Sequence, residues 1–187
     1  MGLFRAIKEF FEFRRALKSQ SEETEEREVR YLSLSCEALA LLPDDELFSA
    51  AVVRTEHLVD EFDEVEDGLK ALNESQKILY SLNWLEIEVN NGGLCQFFVN
   101  SSRAVAPFVS EYMTAVGAEE HRRLFDGFIG RTGIDLCDLS SFDVEETEEF
   151  ESRYQRYPFD EYDDAYYEME PMETYLTQYV RAHVEDF

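Results

Sequence analysis

Between Asn73 and Val89 apolar side chains recur at the period of an α-helix, and the run halts at Asn90-Asn91-Gly92-Gly93. Ile78, Leu82, Leu85 and Val89 share one stripe, which Tyr80 and Trp84 widen. Asn73 is placed to cap the first turn. Asn and Gly tolerate the left-handed conformation that closes a helix, so the spacing predicts a stop there and a short helix carrying Phe97 and Phe98 beyond it. A helix with so broad an apolar face must be covered by others. Gly (8) and Pro (4) are too scarce for a turn-rich β fold. Fifteen Phe and ten Tyr in 187 residues supply enough apolar matter for one core, which high charge alone would put in doubt. The expected fold class is all-α: a single compact multi-helix domain with a separate N-terminal amphipathic helix.

Residues 1–20 read as that basic arm, with Leu3, Ile7, Phe10, Phe11 and Leu17 near one stripe and Arg5, Lys8, Arg14 and Arg15 largely off it. It could lie on a membrane surface, dock on its own acidic body or mediate self-association; its acids and short length favour packing within or between chains. Residues 21–44 form a connecting segment and a helix from about Glu26 through Leu42, stopped by Pro43. Residues 45–187 form the main helical domain. There Asp44 is expected to cap a helix carrying Leu47, Val52, Leu58 and Phe62. Helices are expected over 105–116 and 118–129 with Gly117 between them, and from Glu145 to Tyr157. A final helix after Pro171 should place Met172, Leu176, Tyr179, Val180 and His183 on one stripe.

Forty-two acids face seventeen bases, a net charge of −25. Such a chain repels nucleic acid and anionic lipid and attracts basic proteins. The excess is concentrated in residues 31–72 and 138–187. Three widely spaced cysteines without a CxxC pair fit a reducing cytoplasm. No apolar run reaches membrane-spanning length.

Catalytic signatures are missing: there is no GxSxG, Walker loop or HExxH, and no Glu stands three residues ahead of His57, His121 or His183. Asp63, Asp67, Gly68 and Glu74 match four positions of a calcium loop, but Val65 and Lys70 break it, and an acidic helix end with a glycine cap is the better reading. The chain is expected to be no enzyme and to hold neither metal nor cofactor.

The acids remain. The densest runs supply Asp160, Glu161, Asp163 and Asp164; Glu145, Glu146, Glu148 and Glu149; and Asp60, Glu61, Asp63 and Glu64. Helical carboxylates three or four residues apart lie roughly 5–6 Å from each other, the order of the phosphate spacing along a DNA strand. Such an array can engage a surface built to hold a phosphate backbone. Solvated faces that keep the protein soluble are the plainer reading of the same runs.

Leu79-Tyr80, Glu88-Val89-Asn90-Asn91-Gly92-Gly93, Gln96-Phe97-Phe98 and Asn100 resemble the signature of a bacterial family of DNA-mimic proteins. Phe159-Asp160-Glu161-Tyr162-Asp163-Asp164, followed by Tyr166-Tyr167, is similar to that family's second block. The similarity runs from about residue 45 to the end, with Leu94 standing where an aromatic is expected. The resemblance implies an all-α acidic homodimer that makes no direct contact with nucleic acid. It implies a basic DNA-binding protein as partner, a helix-turn-helix transcription regulator kept off DNA. Asn90, Asn91, Gly92, Gly93, Gln96, Phe98 and Asn100 read as turn and packing elements; the phosphate-mimic acids are inferred from charge density. The alternative is an interaction or ligand-binding module with a pocket near the Asn-Gly-Gly turn, which Gln96 and Asn100 would face.

Overall fold

The computed structural model describes residues 23–144 and 147–187; the basic arm of residues 1–20 lies outside them. In chain order the α-helices are α1 (23–33), α2 (Cys36–Ala40), α3 (Asp44–Val59), α4 (Val65–Ala71), α5 (Glu74–Val99), α6 (Val109–Val116), α7 (Glu119–Thr132), α8 (Thr147–Arg156), α9 (Phe159–Tyr167) and α10 (Met172–Ala182). Short 3-10 segments cover Ser101–Phe108, Ser140–Phe142 and Val184–Asp186. No strand occurs among the described residues, and the all-α compact domain read from the sequence is what the chain forms. No helix among them is long and apolar enough to cross a membrane.

The regular stripe of residues 73–89 becomes the hub. Asn73 accepts from the Gln76 amide while Gln76 accepts from the Asn73 amide, a reciprocal cap that sets the start of α5. Its Ile78, Leu79, Leu82, Leu85 and Val89 are buried, packed by α3, α6, α9 and α10. The Asn-Asn-Gly-Gly run stops the first helical stretch of α5, as its residues predict. Gly92 and Gly93 leave helical geometry, and the chain then turns helical again through Phe97 and Phe98. That second half enters an aromatic cluster: Phe98 lies 5.2 Å from Phe142 and 6.2 Å from Phe159 between ring centroids.

Three local expectations change. The single helix expected over 26–42 is two, broken at Leu34-Ser35, because the Ser35 hydroxyl accepts from the Ala38 amide and starts α2 anew. Pro43, not Asp44, is the cap residue of α3; the Asp44 carboxylate instead accepts from Arg181 Nε at 2.7 Å. Phe62 falls beyond the helix and is exposed. Gly68 is no loop glycine or helix cap but sits inside α4, where a Cβ would come within 2.7 Å of Val59 Cγ1. It permits the close approach of α4 to α3.

Arg54 of α3 ties Phe187 to the connection between α1 and α2. Its Nε donates to the Phe187 carbonyl at 2.8 Å, and its Nη1 donates to the Tyr31 and Leu34 carbonyls at 3.0 Å each. Arg181 similarly holds the Ala40 and Leu42 carbonyls from α10. Arginine suits this task because its guanidinium presents several donors in a fixed plane.

Candidate partner-binding surface and the clasp beneath it

The carboxylates of this chain divide into two populations, and helical phase decides which is which. On α9, Phe159, Tyr162 and Tyr166 form the buried stripe. Asp163 falls at the i+4 position from Phe159 and is drawn inward with them, only 7% exposed. Asp160, Glu161 and Asp164 point away and are exposed.

Asp163 accepts a hydrogen bond from the Leu94 amide at 2.9 Å. Leu94 is the first residue after the glycines, so its amide lacks a helical acceptor, and Asp163 serves as its N-terminal cap from another helix. Four residues along α9, Tyr167 donates its hydroxyl to the Val89 carbonyl at 2.7 Å, on the other side of the break. One face of α9 thus satisfies backbone groups on both sides of the interruption. Gly93 has φ +79° and ψ 176°, and a Cβ there would meet Asp163 Oδ2 at 2.1 Å. Only glycine accommodates both the dihedral and the carboxylate.

A second buried acid completes the clasp. Glu88, 4% exposed, accepts from Gln96 Nε2 at 2.6 Å, Asn100 Nδ2 at 2.8 Å and Ser102 Oγ at 3.0 Å. Three donors replace the water lost by this carboxylate, and it staples the two halves of α5 across their break. Gln96 and Asn100 are therefore spent on Glu88. The pocket expected near the Asn-Gly-Gly turn, with these two amides facing a ligand, is not how they are used. Phe98 is fully buried, whereas Asn90 and Asn91 are exposed.

Burial pushes the Asp163 carboxyl up to about 6; the Leu94 amide opposes this, and the Asp160 and Asp164 charges add to it. Its folded pKa lies above the ordinary 3.8. The folded chain therefore holds a proton that the unfolded chain has released, and this group's contribution to stability falls as pH rises from about 4 to 6. Asp163→Asn cannot ionise. Its stability relative to the parent is expected to rise by about 2 kcal/mol between pH 4 and pH 7. Urea midpoints at the two pH values measure this, and a constant difference would sink the assignment.

The other acids lie outside. Asp60, Glu61, Asp63 and Glu64 are exposed in the connection between α3 and α4, so helical carboxylate spacing does not apply to them. It does apply to Asp160 and Asp164, one turn apart on α9. Asp160 accepts from the Tyr154 hydroxyl, and Glu161 pairs with Arg131 at 2.8 Å. Glu149 is exposed on α8; Glu145 and Glu146 lie outside the described residues, as does the Glu148 side chain. Glu28, Glu56 and Asp60 crowd one shallow cleft between α1 and α3, and burial first, then the Asp60 and Glu28 charges, raises the Glu56 pKa. Many of the bases are already engaged within the chain: Arg30 with Glu46, Lys70 with Asp67, Arg103 with Asp143 and Arg122 with Glu119 and Asp126. No three His, Cys, Asp or Glu side chains among the described residues converge to hold a metal. His121 is buried between the edges of Tyr166 and Tyr175, and burial lowers its pKa.

Charge density found the acids but could not sort them. The sorting signal was phase: an acid recurring on an apolar stripe, as Asp163 does after Phe159 and Glu88 does after Leu85, is an interior acid with designated donors.

The fold and surface thus define an all-α acidic protein whose two interior carboxylates hold a broken central helix while its excess charge is carried outside. Residues 70–183 match the DMP19-like protein family, and the chain belongs to that family, one of DNA-mimic proteins. The match takes in both the clasp and α9 but leaves the Asp60–Glu64 run outside. Comparison with curated proteins and with solved structures gave no significant match.

Proposed function

We propose that this protein binds a basic DNA-binding protein, a transcription regulator with a helix-turn-helix surface, and blocks its access to DNA. The observation that carries the reading is the exposed, unneutralised acid at Asp60, Glu61, Asp63, Glu64 and Asp164 on a chain of the DMP19-like family. Asp160 adds to it, and Glu161 can exchange Arg131 for a partner's cation. The Asp60–Glu64 run lies between α3 and α4, and Asp160 and Asp164 lie on α9. A basic groove made for a phosphate backbone gains from such dispersed charge, and its counterions are released on binding. Asp163 is assigned to the clasp and not to this surface. The homodimer that the resemblance implies is part of the same reading, since a second copy brings a second set of these acids.

The test is affinity capture on the full chain from a lysate of its source cell, followed by a mobility-shift competition between the chain and the captured protein's DNA. A recovered DNA-binding protein that elutes with salt and is displaced from DNA supports the reading. Neutralising Asp60, Glu61, Asp63, Glu64, Asp160 and Asp164 to their amides is expected to weaken that competition at least about tenfold at low salt while leaving the fold intact. Recovery of no nucleic-acid-binding protein, or unchanged competition by the neutralised chain, refutes it.

A further inference from the structure

We propose that the basic arm, residues 3–18 of this chain, returns antiparallel along the open side of α1 and sets Arg14 in the cleft between α1 and α3, where it competes with a basic partner for Asp60. The competition shares its acids with the function proposed above; the docking does not rest on that reading.

α1 has most of its surface uncovered, and Tyr31 is its one buried residue. Glu25, Glu28, Val29 and Leu32 recur three or four positions apart and share one exposed side. Val29 is 67% exposed and Leu32 37%, so the later part of that side is an apolar face. It adjoins a cleft of about 130 Å³ lined by Glu28, Leu32, Val53, Glu56, His57 and Asp60. Burial, then the Asp60 and Glu28 charges, raise the Glu56 pKa, so the three carboxylates crowd one another. Among the described residues His57 is the only base in that lining, and the acids form no metal site. Leu32 and Val53 add an aliphatic wall. One long side chain with an apolar stem and a cationic head fits such a cleft.

Charge, phase and chain length identify the occupant as this chain's own arm. Residues 1–20 hold five bases against two acids, while the rest of the chain holds twelve against forty. Arg14 falls within the arm's apolar stripe, seven residues after Ile7, four after Phe10 and three before Leu17. A cation so placed goes inward with the stripe and needs carboxylates where it lands. Residues 19–22 leave a connection within the ~2–8 residues usual between antiparallel helices. On that return Lys18 and Arg14 run beside Glu25 and Glu28, and Phe11 and Phe10 beside Val29 and Leu32. The basic end meets the acidic end, and apolar meets apolar. A tether this short holds the arm at an effective concentration on the order of millimolar, ahead of free cations.

Arg14→Lys keeps the charge and supplies an amine. In that full-length variant a zero-length carbodiimide is expected to join position 14 to Glu28, Glu56 or Asp60, as mapped by mass spectrometry. Arg5→Lys, on the far side of the arm's helix, is the control and should give no such link. Isotope-labelled and unlabelled chains, unfolded and refolded together, tell a chain's own arm from a neighbour's; links within one isotope are expected. No link from position 14 to these acids, equal linking from position 5, or links of mixed isotope overturns the docking. Arg14→Glu and Arg5→Glu carry the same net charge. The first is expected to bind a fluorescein-labelled octa-arginine peptide at least about threefold more tightly than the second at low salt. Equal affinities overturn the competition. Neither readout depends on what the captured partner proves to be, and circular dichroism melts verify that all the variants fold.

Discussion

Replacing Gly93 with alanine is expected to destabilise the fold by about 3–5 kcal/mol, enough to unfold many domains of this size. Two costs coincide there. The backbone sits at φ +79° and ψ 176°, a region that a residue with a Cβ occupies only under strain of ~1–3 kcal/mol. The new methyl would also lie 2.1 Å from Asp163 Oδ2, an oxygen of the carboxylate that caps Leu94. Moving Asp163 to relieve the clash breaks that cap, so neither cost can be escaped without the other. Gly127→Ala is the control: it lies within α7 with nothing inside 4 Å of its Cβ position. That change should be neutral or stabilising by up to about 1 kcal/mol, because alanine is the better helix former. Urea unfolding of both variants measures the contrast. Equal stabilities would show that the break in α5 does not depend on Gly93.

Removing the Glu88 carboxylate is the second large effect. Glu88→Leu keeps the bulk but leaves Gln96 Nε2, Asn100 Nδ2 and Ser102 Oγ without their shared acceptor. Stranding neutral donors, of which only Ser102 is buried, costs about 1–3 kcal/mol. Glu88→Gln should cost less, since one carbonyl oxygen remains to accept while its amide opposes one of the three donors. The order parent, then Gln, then Leu in urea midpoint is the expected result. A Leu variant within about 1 kcal/mol of the parent would mean the amides find water instead. Loss of stability here should appear without any change in surface charge outside the clasp, which separates this role from partner binding.

Much of the helix layout was legible before any coordinates. Periodicity placed α5, α7 and α10, because an amphipathic helix must repeat its apolar residues every three or four positions to bury one face. Asn73 marked the start of α5 through chemistry local to one turn, and Gly117 was placed between α6 and α7, where it takes the left-handed conformation. The Asn-Asn-Gly-Gly run marked a break correctly. What stood opposite the break was not legible: α9 caps Leu94 and donates to the Val89 carbonyl, one on each side of the glycines. The break at Ser35 was also a local cap, overlooked because the apolar pattern continued across it.

The candidate surface was legible as an amount and a rough location of charge. Which acids belong to it was not, because charge density along a chain carries no sense of inside and outside. Asp160, Asp163 and Asp164 are near neighbours in sequence, yet only Asp163 faces the amide that the glycines expose. The sequence by itself determined that this chain is helical, acidic and broken at Gly92-Gly93, since each follows from local propensity and composition. Helical phase marks Glu88 and Asp163 as facing inward; tertiary structure alone decided which donors each one clasps. A carboxylate's role depends on which donors the fold brings within hydrogen-bonding distance, and these donors come from beyond its own helical turn.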